Sequence, residues 1–170
     1  MTPARAARLA AWAGLAALQY GVAVAYLSRG TWWHYLLHQF VGWGAGLALA
    51  AVVAAFTRYR IPAVVALVVG QLLSIVPDLQ FRYQRMPHEA SMDVWLGHIS
   101  IHTGPFPLLV ALGCLLLGGW AFVAVSYGRR HLGAGLALGA TALVVTACLL
   151  ATPVPTSLAE FPADSAPAAG

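Results

Sequence analysis

The sequence predicts an all-α integral membrane protein, a bundle of about five transmembrane helices. Hydrophobic residues make up 61% of the 170-residue chain and charged residues only 8%, where a soluble domain carries roughly 25% charged residues. Apolar runs of membrane-spanning length recur from end to end, and the ionisable residues fall in short stretches between them. At 1.5 Å rise per residue, about 20 apolar residues cross the roughly 30 Å of bilayer hydrocarbon.

Five such runs are read at 9–27, 35–57, 61–79, 105–127 and 132–152. The first follows Arg5 and Arg8 and contains Ala23-Val24-Ala25, so it has features of a signal peptide. Its apolar run is longer than a signal core, and a retained helix is expected. Thr31 is the expected N-cap of the second run, with Trp32, Trp33 and Tyr35 at the aromatic belt of the membrane interface. Gly42 and Gly46, and likewise Gly135 and Gly139, have the small-xxx-small spacing of closely packed helices. Between the third and fourth spans, Met92, Trp95, Leu96 and Ile99 form an apolar stripe at helical spacing, which predicts an interfacial amphipathic helix. Pro105 is placed to start the next span. Residues 1–152 form one transmembrane domain, and the Pro- and Ala-rich 153–170 reads as a flexible tail.

All the basic residues are arginine. Six of them (Arg5, Arg8, Arg58, Arg60, Arg129, Arg130) fall on the side of the N-terminus and three (Arg29, Arg82, Arg85) on the other. The positive-inside rule then puts the N-terminus in the cytoplasm, with bacterial plasma membrane the expected location. The net charge of +4 is dispersed between spans, so no nucleic-acid partner is expected. Cys114 and Cys148 lie inside apolar runs and read as small core residues.

The chemistry collects at one membrane face. His34 and His38 open the second span, one helical turn apart and on one side of it. Asp78 ends the third. His88, Glu89, Asp93, His98 and His102 follow in the loop before the fourth. All eight reach the same, extracytoplasmic, end of the bundle, and only His131 lies at the other. A carboxylate at membrane depth is costly unless paired or ligating; the alternative partner for Asp78 is Arg82, one turn on. Asp93 can join His98 and His102 only if the helix carrying them breaks, at Gly97.

Imidazoles and carboxylates are the ligands of zinc and similar divalent metals. His34, His38, Asp78, His98 and His102 are the expected metal ligands, and Glu89 and His88 the expected proton-handling catalytic groups. His88-Glu89 does not extend to the H-E-x-x-H of zincins, because position 92 is Met. The order "HQFVGWGAG", "LLSIVPD" and "HISIHTG" resembles small membrane-bound metal-dependent hydrolases, themselves similar in motif order to zinc-dependent phospholipase C-like proteins. The resemblance covers about residues 34–110 and implies metal-site roles for His38, Asp78, His98 and His102. Gln80 stands where that family's Pro-Asp-x-Asp has its second Asp, and the last histidine pair is spaced H-x3-H, not H-x4-H.

The expected activity is hydrolysis of an ester or phosphodiester in a lipid-like substrate, with membrane lipids and an amphiphilic substrate as partners. Two other readings fit the same residues: a haem- or copper-binding redox protein with His38 and His98 or His102 as axial ligands, and a non-enzymatic assembly subunit.

Overall fold

The computed structural model describes residues 2–28, 32–57, 59–84 and 90–151, with backbone alone for 81–84, 90 and 91. Thr31, His88, Glu89 and the tail lie outside the described residues, as does the side chain of Arg82. The described chain is helical, and five helices are long and apolar enough to cross a membrane: α1 (Pro3–Leu27), α2 (Trp32–Phe56), α3 (Ala63–Gln84), α5 (Pro107–Ser126) and α6 (Arg130–Leu149). A short helix, α4 (Ser100–Thr103), precedes α5.

The spans fall where the apolar runs are, with shifted ends. Helix α1 starts earlier than expected, at Pro3, because the Thr2 hydroxyl accepts from the Arg5 N–H at 3.4 Å and Pro3 lacks the N–H that a first turn leaves idle. Helix α3 runs past Pro77 to Gln84. Pro107, not Pro105, opens α5.

Helix α2 is the centre of the bundle; α3, α5 and α6 all pack on it. It approaches two of them through glycine. Toward α3, a Cβ on Gly42 would stand 2.7 Å from the Gly70 carbonyl oxygen, and one on Gly46 would collide with that of Ala66. Toward α5, a Cβ on Gly44 would come within 2.5 Å of the Cys114 backbone. Lipid tails are as apolar as leucine, so close van der Waals fit rather than hydrophobic burial holds such helices together. Gly135 and Gly139 do not serve this way: a Cβ on Gly135 would meet nothing within 4 Å, and one on Gly139 only Leu117 Cδ1 at 3.9 Å. Gly133, against Ala121 and Val125, is the tight contact of α6.

The antiparallel α2–α3 contact advances one turn at a time along both helices. Gly46 faces Ala66 and Gly42 faces Gly70. The next two steps in the same register bring His38 to Ser74 and His34 to Asp78. Glycine packing in the membrane interior thus aligns the polar residues at its edge.

Instead of one continuous interfacial helix, the segment before α5 forms a 3-10 helix (Ala90–Val94), a reversal, and α4. Leu96 and Gly97 both adopt left-handed backbone, with φ of 58° and 70°. A side chain at Gly97 would strike the Cys148 sulfur, so glycine is required there for space as well as for conformation. Asp93 caps the far side of the reversal, accepting from the Ile99 and Ser100 N–H groups, each at 2.8 Å, and from the Ser100 hydroxyl at 2.5 Å. Ile101, 1% exposed, anchors α4 among Leu37, Val41, Val110, Ala111 and Ala147.

Candidate metal centre

The α2–α3 register supplies His34, His38 and Asp78, and the capped α4 turn adds His98 and His102. The structure brings these five side chains together. His34 Nε2 lies 2.9 Å from His38 Nε2, and His102 Nε2 lies 3.2 Å from the same atom. Asp78 Oδ2 is 3.1 Å from His34 Nε2 and 3.3 Å from His38 Nε2, while Oδ1 is 3.4 Å from His98 Nε2. Two ligand sets of three result, His34–His38–His102 and His38–Asp78–His98, each with its ligand atoms within 4.8 Å of one another. His38 belongs to both.

The Nδ1 atoms of His38 and His98 are held from α3. His98 Nδ1 is 3.2 Å from the Ser74 carbonyl oxygen, which can only accept, so this nitrogen carries the proton. That contact fixes the ring's orientation and leaves Nε2 facing Asp78 Oδ1. Pro77, inside the helix, has no N–H for the Leu73 carbonyl, so one ladder hydrogen bond is missing beside Ser74. His38 Nδ1 meets the Ser74 hydroxyl at 3.0 Å. One serine thus orients two imidazoles, one by its side chain and one by its main chain, as outer partners orient ligands in metal sites.

The donor set fits a divalent cation. Ligands about 2.0–2.1 Å from a tetrahedral zinc lie about 3.3–3.4 Å apart. The contacts here, from 2.9 to 3.4 Å, have that scale. Two Nε2 atoms at hydrogen-bond distance, with a carboxylate beside them, repel one another unless a proton or a cation lies between them.

Burial is graded across the site. The side chains of His98 and His38 are 0% and 3% exposed, whereas His34 and Asp78 keep 21% and 16%. The centre therefore opens past His34 and Asp78. His102 has its pKa pushed well below 6.5, first by burial and then by His34, His38 and His98 around it. Trp33 presents an edge to His102, and Tyr26 stands beside His34.

Sequence reasoning missed two members. Tyr26, at the end of α1, donates its hydroxyl to Asp78 Oδ2; its position at the same membrane end as His34 was the available signal. Ser74 lies one turn before Asp78 on the same face of α3, a spacing visible in the chain. Asp93 does not join the imidazoles even though the helix breaks at Gly97, because its carboxylate is used in capping α4. His131 is exposed at the opposite end of the bundle. Comparison of the chain with protein-family models, curated proteins and solved structures finds no match.

Proposed function

We propose that the protein is a metal-dependent membrane hydrolase that cleaves an ester or phosphodiester bond of a lipid-like substrate. The single observation that carries this reading is the convergence of four imidazoles and one carboxylate at the end of an apolar bundle, with the His98 Nδ1–H committed to a carbonyl so that its Nε2 faces inward. His34, His38, Asp78, His98 and His102 would hold the ion, with zinc favoured by the imidazole-rich donor set. A bound divalent cation supplies Lewis-acid polarisation and lowers the pKa of water. The protein's own part is to orient these ligands through Ser74 and Tyr26, to keep the inner face dry behind α4, and to leave the His34–Asp78 edge open to substrate. Glu89, with His88 beside it, is the proposed proton acceptor on the strength of its place in the chain. The resemblance of "HQFVGWGAG", "LLSIVPD" and "HISIHTG" to membrane-bound metal-dependent hydrolases agrees with this assignment. The arginine bias puts the N-terminus in the cytoplasm and the site at the extracytoplasmic surface.

The ring geometry favours this reading over haem ligation. Axial ligands approach iron from opposite faces of a planar macrocycle, whereas His38 and His98 stack with centroids 4.6 Å apart and planes 17° from parallel. Copper remains the redox alternative, and its ligand-field spectrum distinguishes it from colourless zinc. The test is hydrolysis of a panel of lipid esters and phosphodiesters by purified protein. Activity that is abolished by chelation, restored by zinc and absent in His102→Ala supports the proposal; wild-type protein that binds zinc and hydrolyses none of the panel counts against it.

A further inference from the structure

Helices α3 and α6 both pack on α2 but, among the described residues, make no substantial contact with each other. Between them runs a cleft of about 440 Å³, with α2 as its floor. Its walls are Val65, Val69 and Leu73 of α3 and Ala140, Val144 and Val145 of α6. The lining contains no ionisable side chain other than the Cys114 thiol, and the Thr141 hydroxyl is turned back to the Ala137 carbonyl of its own helix at 3.1 Å. Along the floor the cleft extends from Val41 to Val52, about 16 Å at 1.5 Å per residue. That is just over half of the roughly 30 Å hydrocarbon core, the depth of one leaflet.

The upper end of the cleft meets the metal centre. Leu73 precedes Ser74, which orients His38 and His98, and Leu96 lies two residues before His98 in the same reversal. From the surface inward, the molecule therefore presents a cation-ligating polar cluster and then a continuous hydrocarbon slot. That is the polarity order of an amphiphile with a polar head and one long chain.

We propose that this cleft binds the acyl chain of the substrate, so that the substrate class is an acyl lipid entering sideways from the bilayer between α3 and α6. The assignment of the chain as substrate rests on the hydrolase reading above; occupancy of the cleft by an acyl chain does not. Leu96 forms the shoulder between the slot and the imidazoles, and its left-handed backbone is held by the Asp93 cap on one side and Gly97 on the other.

The test is photolabelling of the full chain in phosphatidylglycerol nanodiscs, with a palmitoyl lysophospholipid carrying a diazirine at the chain terminus or next to the head group. The terminal probe is expected on Val52 and Val65, and the proximal probe on Leu73 and Leu96. Val69→Trp and Thr141→Phe, which fill the slot, should lower this labelling about tenfold, a change of about 1.4 kcal/mol in binding, with bound zinc unchanged. His102→Ala should lose zinc but keep the labelling. Labels spread evenly over outward residues such as Leu116, Trp120 and Leu138, or cleft labelling unaffected by the filling variants, would overturn the proposal. Zinc retained without cleft labelling removes the cleft and leaves the hydrolase reading standing; cleft labelling in a protein that never binds metal does the reverse.

Discussion

Ser74 is an ordinary small polar residue one turn before Asp78, yet it contacts two of the four imidazoles. Its hydroxyl meets His38 Nδ1 and its carbonyl meets His98 Nδ1. Outer partners of metal-ligating histidines typically contribute tenfold to a hundredfold in affinity. Ser74→Ala should therefore weaken zinc binding by about tenfold or more in a chelator competition while the fold is kept, because the carbonyl to His98 survives the substitution. Unchanged affinity would show that the hydroxyl does not orient His38. The depressed pKa of His102 sets a pH dependence. In the metal-free protein the unfolded chain takes up a proton at this residue near pH 6.5 and the folded one only at lower pH. Folded stability then holds above about 6.5 and falls as the pH drops below it. Thermal unfolding of apo protein should show that slope, and His102→Gln should flatten it. A slope the substitution leaves unchanged would assign it to other groups.

The elements do two separable jobs, and each has its own test. Helices α2 and α3 fix the register that aligns His34, His38, Ser74 and Asp78. Alanine is ordinarily better than glycine inside a helix by about 1 kcal/mol, but a Cβ on Gly70 would collide with the Gly42 carbonyl. Gly70→Ala should thus destabilise by about 1–3 kcal/mol through overpacking, lowering both Tm in detergent and zinc affinity. Gly135→Ala, where a Cβ meets nothing, should leave both unchanged or raise Tm. The α4 turn is held by Asp93, whose carboxylate caps it. Asp93→Ala should cost about 1–2 kcal/mol as a lost cap and reduce zinc affinity although Asp93 touches no ligand atom of the cluster; full retention of zinc affinity would separate α4 from the site.

These two elements also show what could be read from the chain. The spans were legible because a membrane demands about 20 apolar residues per crossing, and the histidines were legible as one group because consecutive spans bring the start of α2 and the end of α3 to the same end of the bundle. The i, i+4 spacing of His34 and His38 needs only helical geometry. The register between α2 and α3 was not legible in full: Gly42 and Gly46 signal a close face but do not say which residues of α3 meet it. The segment before α5 misled because an apolar stripe at helical spacing looks the same whether or not the backbone reverses within it. Only Gly97 marked the break, and its left-handed backbone and the contact with Cys148 show why it must be glycine. The family resemblance stands on three short motifs, and the chain's likeness to that family is a proposal beside the geometry.

At the scale of the whole molecule, the bundle is an apolar frame whose polar investment is concentrated at one end. Helix α1 is mostly exposed, with Leu15 its one buried residue among those described, yet its last turn delivers Tyr26 to Asp78. Its outward apolar face suits lipid, and its last turn borders the His34–Asp78 edge of the site. The opposite end carries Arg129, Arg130 and His131, all exposed, and belongs to the cytoplasmic side in the proposed topology. The claim on which the rest depends is that the five converging side chains hold a metal ion. It is tested most directly by elemental analysis of protein purified without chelator or polyhistidine tag. A stoichiometric divalent metal that is retained in His131→Ala and lost in His102→Ala and Asp78→Ala is the result expected. Wild-type protein free of metal, and unable to take up zinc when supplied, would contradict it.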